Sequence, residues 1–208
     1  DVYKRQLRMC PVLDGQPVAV FQPFIDTATG QIAGVEALAR LRDAHGHLHS
    51  AGPLFADPKT PAAALRKLDR AVREQAFARF HAAPPDWFLS VNISPRWIGR
   101  LRPQQALPSL KQLAGSAIDP RRVVFEITEL GGASQRLAAV AARYREAGVR
   151  IAIDDFGAGY SQLDRVLALH PDILKLDMRL FQEAARGGPS GEVVKALALM
   201  AEKTGCWI

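Results

Sequence analysis

The sequence predicts an α/β fold in which a parallel sheet is covered by helices. Three observations predict it. Apolar, β-branched runs alternate with stretches of helical periodicity along most of the 208 residues. The apolar runs are nearly continuous rather than alternating, as strands buried on both faces are. Polar or charged residues stand at or near the C-terminal end of one run after another.

The elements follow in order. Residues 17–26 (PVAVFQPFID) and 32–41 (IAGVEALARL) read as a strand pair with TATG turning between them. Residues 43–59 are polar and punctuated by Pro and Gly, and read as a loop. Thr60-Pro61 makes a helix start, an N-cap followed by proline at the first helical position. Leu65, Leu68, Val72, Ala76 and Phe80 then recur at helical spacing. WFLSVNIS is a strand, followed by a helix near 104–113. RVVFEITE is a strand, followed by a helix over 134–147 with Leu137, Val140, Ala141 and Tyr144 on one face and Gly148 as its stop. VRIAIDD is a strand with a short helical stretch after Ser161. DILKLD is a strand, followed by helices over 178–186 and 192–204, the last ended by Gly205. Cys206-Trp207-Ile208 begins another apolar run.

Composition narrows the class. Hydrophobic residues at 48% and charged residues at 23% place the chain among globular proteins. No apolar run approaches the ~20 residues of a spanning helix. The first ten residues, DVYKRQLRMC, carry basic residues without an apolar stretch behind them, so they do not read as a secretory signal. We expect residues 1–16 to be a tail or linker and 17–208 to form the domain. Cys10 and Cys206 make neither a disulfide framework nor a metal pair, which favours a cytoplasmic setting. A net charge of +6 suits an anionic partner, nucleic acid or a small phosphorylated ligand alike.

The stretch IAIDDFGAGYSQL, residues 151–163, puts two carboxylates at the end of an apolar strand. Like charges that close repel, and burial raises the cost. A solvated turn explains them, since Asp and Gly are turn residues. A glycine-rich phosphate cradle fits less well. Gln162 stands where the third glycine of G-x-G-x-x-G belongs, and two carboxylates would repel a pyrophosphate. A divalent cation makes the pair favourable. The other strands decide for the cation. Glu36, Asn92, Glu126, Asp154 with Asp155, and Lys175 with Asp177 come at successive strand ends. In a (β/α) barrel such ends converge on the active-site face. Hard oxygen donors suit Mg2+ or Mn2+. An Asp pair that reaches two ions suits the clamping of a phosphodiester.

Taken in order, FQPFID, EALAR, VNIS, FEITE, IDDFGAGYSQL and DILKLD resemble the EAL family, the cyclic di-GMP phosphodiesterases of bacterial signalling. The resemblance spans about residues 18–208. It implies a modified TIM (β/α)8 barrel with an antiparallel first strand, here incomplete at its C-terminus. It implies metal ligands at Glu36, Asn92, Glu126, Asp154 and Asp155, with Asp177 supporting the metal centre, and two ions, Mg2+ or Mn2+. Lys175 is the implied catalytic residue that positions or activates water, together with Asp155. Gln22, Leu38 and Arg40 fall on substrate-binding positions, and a guanidinium at Arg40 suits phosphate oxygens. Glu129 and Ser161 are expected to brace the loop that Gly157 and Gly159 let bend. The implied reaction opens cyclic di-GMP to linear pGpG. The implied setting is a homodimer when the domain is complete, with a GGDEF or sensory domain upstream, no DNA partner and no membrane segment in the chain.

Each residue has a plainer explanation. Glu36 is compatible with an exposed strand, Asn92 with a turn, Lys175 with a snorkelling strand end, and Glu129 with a helix cap. His45, His47 and His49 lie outside the family motifs and read as a solvated loop rather than a ligand set. The family pattern continues past Trp207-Ile208 with a strand bearing one more glutamate ligand, so we expect a fragment of an active domain. The alternatives to an enzyme are a cyclic di-GMP receptor without turnover and a protein-interaction module.

Overall fold

The computed structural model describes residues 15–94, 105–127, 135–157 and 163–208. Two long strands open it, β1 (Gln16–Ile25) and β2 (Ile32–Arg42), paired antiparallel as expected. The segment expected to be a loop carries a short strand β3 (Leu48–Ser50) and a helix α1 (Gly52–Ala56). The strand forms because Asp43-Ala44-His45-Gly46 makes a tight turn, with Gly46 at φ 88°, that folds the chain back onto β2.

Helix α2 (Ala62–Phe80) follows, with Pro61 rather than Thr60 in the cap position. Strand β4 (Phe88–Ile93) leads to α3 (Pro108–Ala114), which begins four residues later than expected. Pro108 takes the first turn, where its missing N–H costs nothing, and the helix cannot extend back through it. Strand β5 (Val123–Ile127) leads to α4 (Gln135–Glu146), and β6 (Arg150–Phe156) to α5 (Leu163–Leu169). Strand β7 (Ile173–Leu176) is followed by α6 (Met178–Ala185) and α7 (Pro189–Thr204). Helix α7 starts at Pro189, not Glu192, for the same reason as α3.

The sheet order is β1-β2-β4-β5-β6-β7, with β3 paired to β2, and all pairs from β2-β4 onward are parallel. Trp207 bridges Ile173 in parallel, so the apolar run after α7 lies along β7. Among the described residues nothing pairs β7 with β1.

Apolar packing divides by face. On one side the helices bury Leu65, Val72 and Phe77 of α2 and Leu137, Ala141 and Tyr144 of α4 against Leu89, Phe125 and Ile151. On the other, Phe88, Val124 and Ala152 pack with Phe24, Ala33 and Ile173 as an apolar floor. Gly34 makes that floor possible. A Cβ there would stand 2.5 Å from the Phe88 carbonyl oxygen and 2.7 Å from its ring. We expect Gly34→Ala to destabilise the fold by about 1–3 kcal/mol through overpacking, measured by denaturant unfolding.

Candidate metal centre

Strand side chains alternate between faces, so residues two apart share one. Glu126 is two beyond Val124, Asp154 two beyond Ala152, Lys175 two beyond Ile173, and Ser90 and Asn92 two and four beyond Phe88. All therefore stand above the apolar floor. Register completes the layer: Glu36 lies opposite Ser90 on one side and Gln22 on the other, and Asn92 lies opposite Glu126.

The result is a cluster around one ammonium. Lys175 Nζ lies 2.7 Å from Glu126 Oε2, 3.1 Å from Asp154 Oδ1 and 3.2 Å from Glu36 Oε2. One oxygen from each of these three carboxylates lies within 4.8 Å of the others. Asn92 Nδ2 donates to Glu36 Oε1 at 3.0 Å, and Ser90 Oγ donates to the other oxygen of Glu126 at 2.5 Å. The Phe24 ring lies 5.8 Å from the ammonium. Glu126 is fully buried.

Electrostatics follow from that packing. Burial pushes the Glu126 carboxyl up to about 7; Lys175 opposes the shift, and Glu36 and Asp154 add to it. Burial alone would lower the Lys175 ammonium, but Glu126, Asp154 and Glu36 outweigh it and push it up. Lys175 is therefore a cation in the metal-free cluster.

Three carboxylates around one ammonium leave an excess of negative charge, and the donors are all hard oxygens. The residues fit a divalent ion, which would meet the same attraction that holds Lys175 in place. An ion competes with the proton on Glu126, so Mn2+ affinity should rise about tenfold from about pH 6 to pH 8. Titration calorimetry at the two pH values checks this. Equal affinities would remove Glu126 from the ligand set.

The remaining expected residues are placed as follows. Ile153 pairs with Leu174 but Phe156 with Leu176, so β6 carries one extra residue against β7. Asp155 sits in this bulge at φ 56°, a left-handed conformation that Asp tolerates better than most residues, and its side chain is exposed. It is not brought into the group of three. Asp177 caps α6 by accepting from Arg179 N–H at 2.8 Å, and its own N–H donates to the Phe156 carbonyl at 2.9 Å. Leu38 and Arg40 line, with Glu36, Asn92, Ser94 and Asp154, a cavity of about 270 Å³. Arg40 Nη1 donates to the Ala39 carbonyl. Gln22 is exposed on the neighbouring strand. Gly157, at φ 106°, turns the chain out of β6 against Leu180. Glu129, Gly159 and Ser161 lie outside the described residues.

Sequence reading missed Ser90, although its spacing from Asn92 already put it on the same face. It also missed Asp69 and Arg73 in the cavity wall. This buried pair is 2.5 Å apart on α2, and Arg73 Nε also donates to Gln112 Oε1 at 3.0 Å. Their i, i+4 spacing beside Leu65, Leu68 and Val72 was the available signal.

Comparison with known proteins shows the family and the fold. The family pattern described as EAL domain matches residues 7–208. The EAL-domain protein YkuI of Bacillus subtilis is 31% identical over 188 residues, covering 89% of this chain and 46% of YkuI. Its crystal structure, in complex with substrate c-di-GMP and calcium, superposes with a TM-score of 0.78 at 27% identity, covering 98% of this chain and 49% of that one. The probable cyclic di-GMP phosphodiesterase PdeB of Escherichia coli is 32% identical over 178 residues, covering 82% of this chain and 33% of PdeB. A manganese and cyclic di-GMP complex of Klebsiella pneumoniae BlrP1 superposes with a TM-score of 0.75 at 25% identity, covering 94% of this chain and 49% of that one. The chain spans less than half the length of each of these relatives.

Proposed function

The chain belongs to the EAL domain family, and from that premise we propose that it forms the hydrolytic centre of a metal-dependent cyclic di-GMP phosphodiesterase. The observation that carries the proposal is the convergence of Glu36, Glu126 and Asp154 within 4.8 Å, with Lys175 among them. Glu36, Asn92, Glu126 and Asp154 would hold the first Mg2+ or Mn2+. Asp155, carried outward by the bulge, is the proposed ligand to a second ion, with Asp177 fixing the strand ends behind it. Bound ions supply a Lewis acid and a more acidic water.

The chain's own groups do the rest. Lys175 would position the attacking water or donate to the phosphoryl oxygen that gains charge. Arg40, Leu38 and Gln22 would bind the nucleotide along the cavity, and Gly157 and Gly159, braced by Glu129 and Ser161, would shape the loop beside it. Water adds to one phosphorus, the bond to the 3′ oxygen breaks, and that oxygen takes a proton, leaving linear pGpG. We place this chemistry in a cytoplasmic homodimer with a GGDEF or sensory domain upstream. Among the described residues no helix is long and apolar enough to cross a membrane.

A second reading, a receptor that binds cyclic di-GMP without turnover, is favoured by two observations: Asp155 stands outside the carboxylate group and Asp177 is engaged as a cap. Chromatography of cyclic di-GMP incubated with the protein from its full reading frame separates the two. We expect pGpG with Mn2+ or Mg2+, little with Ca2+, whose looser shell misplaces the reacting groups, and none in excess chelator. Binding without product would establish the receptor. Product in chelator would rule out the metal mechanism.

A further inference from the structure

Two side chains of β4 hold the carboxylates on either side of it, and they do so crosswise. Register puts Ser90 opposite Glu36 and Asn92 opposite Glu126. Neither donates to the glutamate opposite it. Asn92 Nδ2 donates to Glu36 Oε1, and Ser90 Oγ donates to Glu126 Oε1. In both glutamates the other oxygen, Oε2, is the one that meets the Lys175 ammonium, at 3.2 Å for Glu36 and 2.7 Å for Glu126. Each carboxylate is thus divided between β4 and the charge at the centre. The division is firmer at Glu126. Ser90 is 1% exposed and Glu126 is fully buried, so bulk water does not reach the bond between them. A serine hydroxyl has a single hydrogen, and here it goes to this carboxylate.

We propose that Ser90 is a positioning residue that sets which divalent ion the centre prefers, by leaving Glu126 one oxygen to offer instead of two. The proposal rests on the metal-dependent reading above. Ca2+ takes a large, loose shell of oxygens and accepts a carboxylate through both of its oxygens. Mg2+ demands near-ideal octahedral directions, and Mn2+ shares that geometry, so both are served by single, well-aimed oxygens. With Oε1 held by Ser90, Glu126 presents Oε2 alone, in the direction where the ammonium now lies. Without the hydroxyl, Oε1 is left buried and unpaired, and the carboxylate is free to turn both oxygens to an ion. Outer hydrogen-bond partners orient ligands in this way without touching the metal.

Titration calorimetry with Mn2+ and with Ca2+, on the protein from its full reading frame and on Ser90→Ala, Ser90→Thr and Asp154→Ala, tests this. We expect Ser90→Ala to bind Mn2+ about 10-fold more weakly, the range for loss of an outer partner. Its Ca2+ affinity should stay within about twofold of the parent or rise. The Mn2+/Ca2+ affinity ratio therefore falls about 10-fold. Ser90→Thr, which keeps the hydroxyl, should restore the ratio. A merely structural serine would weaken both ions together, because both bind the same fold, and the ratio would not move. An unchanged ratio in Ser90→Ala, with Mn2+ binding still lost in Asp154→Ala, would overturn the role of Ser90 and leave the metal centre standing. Equal Mn2+ binding in the parent and Asp154→Ala would overturn the metal centre, and the role of Ser90 with it.

Discussion

Asp154→Ala should lower the hydrolysis rate by about 10³-fold and remove tight Mn2+ binding, while the domain stays folded. Asp154 is one of three carboxylates that share the cluster, and its side chain is only 17% exposed, so water cannot readily replace it. The loss of charge is felt in a shielded site, where a single preorganised group is worth the most. The fold survives because Lys175 keeps Glu126 at 2.7 Å and Glu36 at 3.2 Å as partners. Turnover and Mn2+ affinity measured on one preparation check this. A variant with full rate and unchanged affinity would show that the ion, if needed, sits elsewhere.

Lys175→Ala should separate three quantities that a merely structural lysine would move together. The rate should fall by about 10²-fold or more, the range for a positioned proton-transfer group. Mn2+ should bind at least as tightly as in the parent, because the ammonium that competes for the same three carboxylates is gone. The metal-free variant should lose about 3 kcal/mol of stability, since Glu126 is left buried beside Glu36 and Asp154 without its cation. Mn2+ should restore that loss. Stability in chelator and in Mn2+, with kcat beside them, makes the measurement. A normal kcat would remove Lys175 from the chemistry even if the stability changes hold.

Much of this was legible in the chain because strand order and side-chain period are simple rules. Placing Asn92, Glu126, Asp154 and Lys175 near strand ends is enough, in a parallel sheet, to bring them to one edge; Glu36, expected at a strand end, stands midway along β2 and joins them through its register with Ser90. The antiparallel β1 followed from the short turn after Asp26. What stayed hidden depended on local departures from regularity. Period-two alternation treats Asp155 as the neighbour of Asp154 on the opposite face and says nothing of a bulge that sends it outward. The β2–β3 hairpin was obscured because its strand is three residues long and exposed, and its tight turn begins at Asp43 and runs into the histidine-rich stretch. Asp69 and Arg73 were passed over because single charged residues are rarely buried, although their spacing from Leu65, Leu68 and Val72 puts them on the core face of α2. Only as a pair at 2.5 Å do they become a buried feature of the cavity.

The most direct test is anomalous scattering from a crystal of the protein soaked with Mn2+. The predicted result is a manganese peak bounded by Glu36, Asn92, Glu126 and Asp154, with the Lys175 ammonium shifted away from the position it holds among the carboxylates. No manganese at that cluster at saturating concentration, with Lys175 still bridging Glu36, Glu126 and Asp154, would contradict the assignment of the strand-end cluster as a metal centre.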